Sequence, residues 1–370
     1  MAVSSPHMSS AVRKSPPHRF CFTEQPTRLC SDERRPVHML QLSACALGRS
    51  FTPDAPSVLV DLRTLPHDSV AGACHLPLPQ LKERLFELPP PGEWPLTLIG
   101  SRSELDVAHS LLRPKGWQAE ELIRDSGEQR SRSAHDDGSS EAEVPASPYR
   151  ANSFLSAVLP ALDLHGSEEA GLAVDLGCGS GRDAVYMSSV FAERAPQWTV
   201  LGIDNHVAAL DRGRALARRM QNERFHHRRH IGQPALLAPP ASPAPSAAAL
   251  PVFEATDLRK GGLEAALASR PSEPLRLVHG CRWLDLKLLA SLPELLAPGG
   301  ILLWSTFLDP PDGSEPLKPP YRRSRRLSSG QMRQVIGEDS GMRVLADVEG
   351  ELLTRGTWCT AQFYCAQREW

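Results

Sequence analysis

Short apolar runs alternate along the chain with amphipathic stretches and turn signals, the strand–helix–strand rhythm that specifies a parallel α/β sheet. Between residues 52 and 124 the pattern predicts a strand over Ser57–Leu62, a helix over Gln80–Leu88, a strand over Pro95–Gly100 and a helix over Glu104–Leu112. The first helix is stopped by Pro89, Pro90, Pro91 and Gly92. From residue 149 the rhythm recurs at larger scale. Strands are predicted at Leu172–Gly177, Thr199–Asp204, Val252–Asp257, Leu275–His279 and Ile301–Phe307. Helices are predicted over Asp183–Ala192, Val207–Asn222 and Leu286–Leu296, and Met342–Glu349 with Thr357–Ala366 supply two closing strands. The expected fold class is α/β: a Rossmann-like, doubly wound sheet preceded by a small α/β domain.

Three stretches break this pattern. Residues 1–51 form a Ser- and Pro-rich tail, residues 125–148 are polar and almost without large apolar groups, and residues 233–251 are a Pro/Ala/Ser run. Such compositions cannot bury enough surface to offset the entropy of ordering them. The chain holds 34 prolines in 370 residues, about twice the usual share, and much of the excess collects in the tail, the insert and a loop around Pro310–Pro320. The expected organisation is a disordered or targeting tail (1–51), a first domain (52–124), a disordered linker (125–148) and a second domain (149–370) carrying a low-complexity insert (233–251). No repeat at a fixed period is present.

Charge is nearly balanced, with 41 Lys+Arg against 43 Asp+Glu and a formal net charge of −2. Nothing global points to nucleic acid or a membrane surface, so neither partner is expected. The best candidate for a membrane span, Leu288–Leu308, is broken by Pro293, Glu294, Pro298, Gly299 and Gly300. The 8 cysteines are scattered without a CxxC pair, which excludes a zinc ribbon and argues against a disulfide-stapled domain. A cytoplasmic location is expected. The leader has no acid before Glu24 and is basic at Arg13, Lys14 and Arg19, so an organelle address in plastid or mitochondrion stays open.

The segment with the most chemistry is Val174-Asp175-Leu176-Gly177-Cys178-Gly179-Ser180-Gly181-Arg182-Asp183. A strand enters a glycine-rich turn and a helix leaves it, the arrangement that lets a ligand approach the backbone beyond the strand ends. A nicotinamide fingerprint needs glycine where this chain has Arg182. The spacing here is GxGxG preceded by Asp175, and a carboxylate at the strand end suits a ligand with a cationic amino group better than a diphosphate. Asp204 ends the next strand, where an acid accepts bonds from both ribose hydroxyls. Cys178 reads as a small packing residue of the loop.

With these residues in view, the second domain resembles the class I S-adenosylmethionine-dependent methyltransferases. VDLGCGSGRDAVYM is similar to the first motif of that family, GIDNH holds its ribose-binding acid, EATDL resembles the adenine-binding segment, and LLAPGGILLWSTF resembles the strand that follows. The wording GSGRDAVY and the STF after PGG point to the subgroup of tellurite-resistance and thiopurine-type small-molecule methyltransferases. The resemblance implies S-adenosyl-L-methionine as cofactor. It places Asp175, Gly177, Cys178, Gly179, Ser180 and Gly181 at the methionine end, Asp204 and Asn205 at the ribose, and Asp257 and Leu258 at the adenine, with His279 beside them. The implied partner is a small-molecule methyl acceptor, a thiol, a metalloid or another anion, and the oligomeric state is left open.

The first domain resembles a rhodanese module through VLVDLR, AGACHLPLPQL, LTLIGSRSE and LLRPKGW. An active rhodanese carries its nucleophilic Cys directly after the central strand. That position here falls near Gly100, no Cys is present, and the expected module is catalytically inactive for sulfur transfer. Cys74 reads as core.

The acceptor side is expected after the fourth strand of the second domain, over His279–Asp285. His279 is either a base or a satisfied strand-end histidine, Arg282 either holds an anionic acceptor or pairs with a neighbouring acid, and Trp283 either walls a pocket or packs beneath it. No metal site is expected: His226–His230 reads as a solvated loop for want of ligand spacing and a partner. Arg322–Arg326 reads either as a nuclear-import-like patch or, as the resemblance to the methyltransferases implies, as a lid over the substrate pocket that attracts an anionic substrate, the preferred reading. Two rival functions stand beside the methyltransferase, a non-catalytic interaction or regulatory protein and a sulfurtransferase working through a non-standard Cys such as Cys74.

Overall fold

The computed structural model describes residues 57–64, 70, 73–91, 94–124, 149–164, 166–230, 250–310, 326–354 and 357–370. The expected tail and the 125–148 linker lie outside them, as does the insert apart from Leu250 and Pro251.

The first sheet consists of β1 (Val58–Asp61), β2 (Cys74–His75), β3 (Leu96–Gly100) and β4 (Ala119–Ile123), all parallel in the order β2-β1-β3-β4. Helices α1 (Leu78–Arg84) and α2 (Arg102–Leu112) pack on it around Val60, Leu62, Leu81, Leu98 and Leu105. The chain passes from β3 into α2 through a single residue. Ser101 accepts from Glu104 N at 3.4 Å while the Glu104 carboxylate accepts from Ser101 N at 2.8 Å, a capping box that starts the helix ahead of the predicted Glu104. Strands β2 and β4 are absent from the hydrophobic pattern for opposite reasons. β2 is only 2 residues long, and β4 is an edge strand whose last four residues are exposed.

The large sheet comprises β5 (Gly171–Leu176), β6 (Trp198–Asp204), β7 (Val252–Ala255), β8 (Leu275–Cys281), β9 (Ile301–Leu308), β10 (Arg326–Leu327), β11 (Met342–Thr354) and β12 (Thr357–Arg368). Its order is β11-β12-β9-β8-β5-β6-β7, with β10 alongside β9. β5 to β10 pair in parallel, and the β11–β12 hairpin closes the sheet antiparallel to β9. Helices α3 (Ser153–Val158), α4 (Arg182–Arg194), α5 (Val207–His230), α6 (Gly262–Ala268), α7 (Leu286–Leu295) and α8 (Gln331–Val335) complete the unit. The doubly wound α/β class is therefore present.

Every residue of β5 and β9 is buried, as expected for parallel strands covered on both faces. Alternate residues feed two separate cores. Ala173, Leu277, Leu303 and Phe363 join Phe154, Met187 and Phe191, while Val174, Val278, Leu302 and Tyr364 join Leu289, Leu292 and Trp304.

Two readings of the basic clusters change. Helix α5 continues to His230, so His226–His230 is helical rather than a loop after a helix. No Pro or Gly interrupts the chain between Gly213 and Gly232, and nothing stops the helix earlier. Arg326 is buried in β10 with its Nε 3.4 Å from Asp309 Oδ1, a strand residue and not part of a lid. The rest of the Arg322–Arg326 cluster lies outside the described residues. Among the described residues no helix is long and apolar enough to cross a membrane.

The small sheet touches the large one through defined groups. The Glu87 carboxylate receives two hydrogen bonds of 2.8 Å from Arg84 and lies 3.2 Å from Arg219 of α5. Trp94 Nε1 donates to the Ala151 carbonyl at 3.4 Å, and the Arg150 guanidinium lies over the Trp94 ring at 5.9 Å. Because the Glu87 side chain is almost wholly buried, deleting it strands two arginines. Glu87→Ala is expected to cost about 3 kcal/mol, read as a lowered thermal midpoint and as faster hydrogen exchange across β1–β4 than in the wild type.

Candidate functional site

The order of the large sheet reverses between β5 and β8. The strands that follow β5 run outward to β7, and β8 returns to its other side. Loops leaving such a switch point diverge and open a crevice where ligands bind. Here the loop after β5 is Gly177–Gly181, and the segment after β8 is Arg282–Leu284.

The turn after β5 is clasped to β6. Gly177 N and Cys178 N both donate to the Ile203 carbonyl, at 2.8 and 3.0 Å. Asp204 Oδ2 accepts from Gly179 N at 2.9 Å and its Oδ1 from His206 N at 2.8 Å, so this one carboxylate positions both loops. Gly177 and Gly179 sit at φ +69° and +54°, the left-handed region that glycine occupies at little cost. Their surroundings differ. A Cβ on Gly177 would lie 2.8 Å from the Trp283 ring, whereas a Cβ on Gly179 would meet nothing within 4 Å. Gly181 is covered by Phe253. Of the three glycines, Gly179 is the one that faces open space.

Two adjoining clefts meet at Gly177 and Arg282. The first, about 610 Å³ with its mouth, is bordered by Asp204, Asn205, Asp257, Leu258 and Trp283, within the range of small-molecule sites. Asp257 caps a single helical turn, accepting from Arg259 N at 3.1 Å. The second cleft, about 580 Å³, is bordered by Asp175, Cys178, Ser180, Asp183, Cys281 and, from the small sheet, Pro90. Arg282 holds φ +57°, the sole non-glycine residue in that region among those described, a strained geometry of about 1–3 kcal/mol that clusters at functional sites. Its own N–H donates to the Ser305 carbonyl at 2.8 Å. Trp283 lies on Gly177 and stacks obliquely on Trp304, with ring centroids 6.0 Å apart.

His279 borders neither cleft directly and is fully buried. Its Nδ1 lies 2.9 Å from Asp175 Oδ1 and its Nε2 3.9 Å from Asp183 Oδ2. Of the two roles open to it in the sequence, the structure supplies a strand-end histidine held by an acid. Burial alone would push this imidazole down, but the hydrogen bond and charge of Asp175, joined by Asp183, outweigh it and raise its pKa. Burial, with the neighbouring Asp175, holds the Asp183 carboxyl above the usual range, although His279 opposes this. Burial, then the charges of Asp175 and Asp204, push the Cys178 thiol far up, so it carries no thiolate near neutral pH.

Of the residues singled out in the sequence, Asp175, Gly177, Cys178, Ser180, Asp204, Asn205, Asp257, Leu258, Arg282 and Trp283 border these two clefts, while Gly179 and Gly181 belong to the same loop as Gly177. Sequence reasoning missed Asn152, and it named Asp183 and Cys281 only as members of their segments, without a role. Asn152 caps α3, donates from Nδ2 to Cys281 Sγ at 3.3 Å and gives its N–H to Asp183 Oδ1 at 2.8 Å. The one available signal was an Asn placed before Ser153-Phe154-Leu155, an N-cap pattern. Among the described residues no group of three or more His, Cys, Asp or Glu side chains is placed to hold a metal ion.

No family model matches the chain, and no curated protein matches it. Several solved structures are similar. TehB from Haemophilus influenzae is 13% identical over 60% of this chain and 65% of its own, with a TM-score of 0.37, so the chain spans just under two thirds of that protein. Magnesium protoporphyrin IX methyltransferase (ChlM) from Synechocystis PCC 6803 with bound SAH is 16% identical over 58% of this chain and 81% of its own, TM-score 0.34. The [4+2]-cyclase SpnF is 13% identical over 59% and 81%, TM-score 0.36. What the site does is therefore argued from its own residues.

Two measurements test this geometry. An alanine at Gly179 meets only the strain of its backbone, about 1–2 kcal/mol, while Gly177→Ala adds a collision with Trp283; thermal melts are expected to rank wild type above Gly179→Ala above Gly177→Ala. Because the folded state raises the His279 pKa, its stabilisation is present below the unfolded value of about 6.5 and is lost as pH rises through the folded value. Denaturation curves between pH 5 and 9 should therefore show stability falling on the alkaline side, and falling less in His279→Gln.

Proposed function

We propose that this protein is an S-adenosylmethionine-dependent methyltransferase acting on a small-molecule acceptor. The observation that carries the proposal is that a glycine turn with one open position, Gly179, and two strand-end acids, Asp204 and Asp257, converge on one crevice at the switch point of the sheet. The residues fit the cofactor. Asp204 keeps lone pairs free for ribose hydroxyls beyond the two backbone bonds it accepts, Asn205 stands beside it, and Asp257 with Leu258 offers one polar and one apolar contact to a base. Asp175, Cys178, Ser180 and the Gly177–Gly181 backbone would hold the methionine end. Bound there, the cofactor supplies a methyl group on a sulfonium, and the chain's own task is to align an acceptor with it, an effect worth several kcal/mol.

The second cleft, on the Asp175 and Cys281 side, is the place for the acceptor. The small sheet in this proposal is a rhodanese-like module without sulfurtransferase activity. Ser101 occupies the turn after β3 and caps α2, and Cys74 is buried at the β1–β2 register, opposite Val60. The burial of this thiol weighs against the sulfurtransferase. The intact glycine turn weighs against a chain that only binds partners.

Calorimetric titration with S-adenosylmethionine tests the reading. Wild type is expected to bind, and Asp204→Ala and Asp257→Ala to bind at least tenfold more weakly, about 1.4 kcal/mol, with melting checked in parallel because Asp204 also ties the loops. Equal binding by Asp204→Ala, or none by wild type, would sink it.

A further inference from the structure

Three ionisable groups from three elements meet at the second cleft: Asp175 at the end of β5 and Asp183 in the first turn of α4, which border it, and His279 in β8, which is buried against them. A cluster of acids is not a site by itself. Here, however, Asp175 is 2% exposed, borders the cleft, and its Oδ2 has no hydrogen-bond partner in the protein. A buried carboxylate oxygen left in this state is costly unless a ligand donor meets it. His279 Nε2 is likewise without a hydrogen-bond partner and faces Asp183 Oδ2 at 3.9 Å. The Nδ1 contact with Asp175 orients the ring so that Nε2 faces Asp183.

We propose that Asp183 is the proton acceptor for methyl transfer in the second cleft, with Asp175 and His279 as positioning residues behind it, so that the acceptor enters as a neutral hydroxyl or amine. This rests on the methyltransferase reading and narrows its acceptor away from thiols and metalloids, which need little base assistance. Asp183 borders the cleft and its Oδ1 is fixed by the Asn152 N–H, leaving Oδ2 as the basic atom. Asp183 Oδ2 takes the proton of the acceptor O–H or N–H as the lone pair of that oxygen or nitrogen bonds the methyl carbon. The carbon–sulfur bond breaks with its electron pair going to sulfur, which leaves as a neutral thioether. The proton on Asp183 is then released to solvent through the cleft that Asp183 borders.

The other groups around this floor do not compete for the role. The Tyr149 hydroxyl donates to the Arg182 carbonyl and burial pushes its pKa well up. Cys178 stays a thiol. Arg182, which also borders the cleft, carries permanent positive charge and favours the ionised form of Asp183. A raised carboxyl pKa, as burial and Asp175 give Asp183, makes a stronger base than a solvated carboxylate.

The test uses the full chain and Asp183→Asn, a substitution that keeps the oxygen receiving the Asn152 N–H. Titration with S-adenosylhomocysteine is done first; failure of the wild type to bind it removes the methyltransferase reading, not this assignment alone. Wild type and variant are then assayed with labelled cofactor against phenols, alcohols, amines and thiols. The expected result is methylation of a hydroxyl or amine by the wild type, a loss of about 10²–10⁴-fold in kcat in Asp183→Asn, and S-adenosylhomocysteine affinity changed less than threefold. The NMR titration of His279 is followed in both proteins, and its midpoint is expected to fall when the Asp183 charge is removed. Methylation confined to thiols, no methylation of any hydroxyl or amine, a variant within threefold of wild type, or a His279 midpoint unmoved by Asp183→Asn each overturns the proposal.

Discussion

The contact on which this site depends is the pairing of Asp175 with His279 across the junction of β5 and β8. The two residues are Cα partners in the strand register, both are buried, and each would be expensive to enclose alone. Paired at 2.9 Å, they let two strand ends carry polar side chains into the centre of an apolar sheet. From that point the backbone diverges. On one side it turns through Gly177 and is clasped to β6 by the Ile203 carbonyl and Asp204; on the other it passes through the strained Arg282, whose N–H is tied to β9 at Ser305. Trp283 then folds back onto Gly177, so the crevice has a polar floor, a glycine edge and an aromatic cover.

What was legible in the sequence follows from where the determinants lie. β5, β6, β8 and β9 are runs of apolar residues with turn residues at their ends, and local composition alone announces them. The glycine turn and Asp204 are local too, since one strand, one turn and the next strand end contain all of the signal. The acidic floor is a different case. Asp183 meets Asn152 across 31 positions and Asn152 meets Cys281 across 129, so no periodicity within a window reveals them. His279 could be named but not interpreted, because its partner belongs to a strand 104 positions away in sequence. At the opposite extreme, β2 and β4 are hidden because a 2-residue strand and an exposed edge strand have no pattern to show. Helix α5 ran past its predicted end because charge alone, with no Pro or Gly, does not stop a helix.

The small sheet is more than an appended neighbour, because one of its residues belongs to the second cleft. Pro90 lies in the loop after α1, is buried, and borders the cleft beside Asn152 and Cys281. The loop is held from both directions. The Pro89 carbonyl accepts from Trp117 Nε1 at 2.8 Å within the small core, and Glu87, just before it, faces Arg219 of α5. A proline wall adds apolar surface and brings no N–H into the cleft. Such a wall excludes water without competing for the carboxylates of the floor, and excluding water strengthens the electrostatics of what remains. The proline run that ends a short helix beside the first sheet thus forms part of the wall of a cleft in the second. That shared wall is a physical reason for the two sheets to lie in one chain.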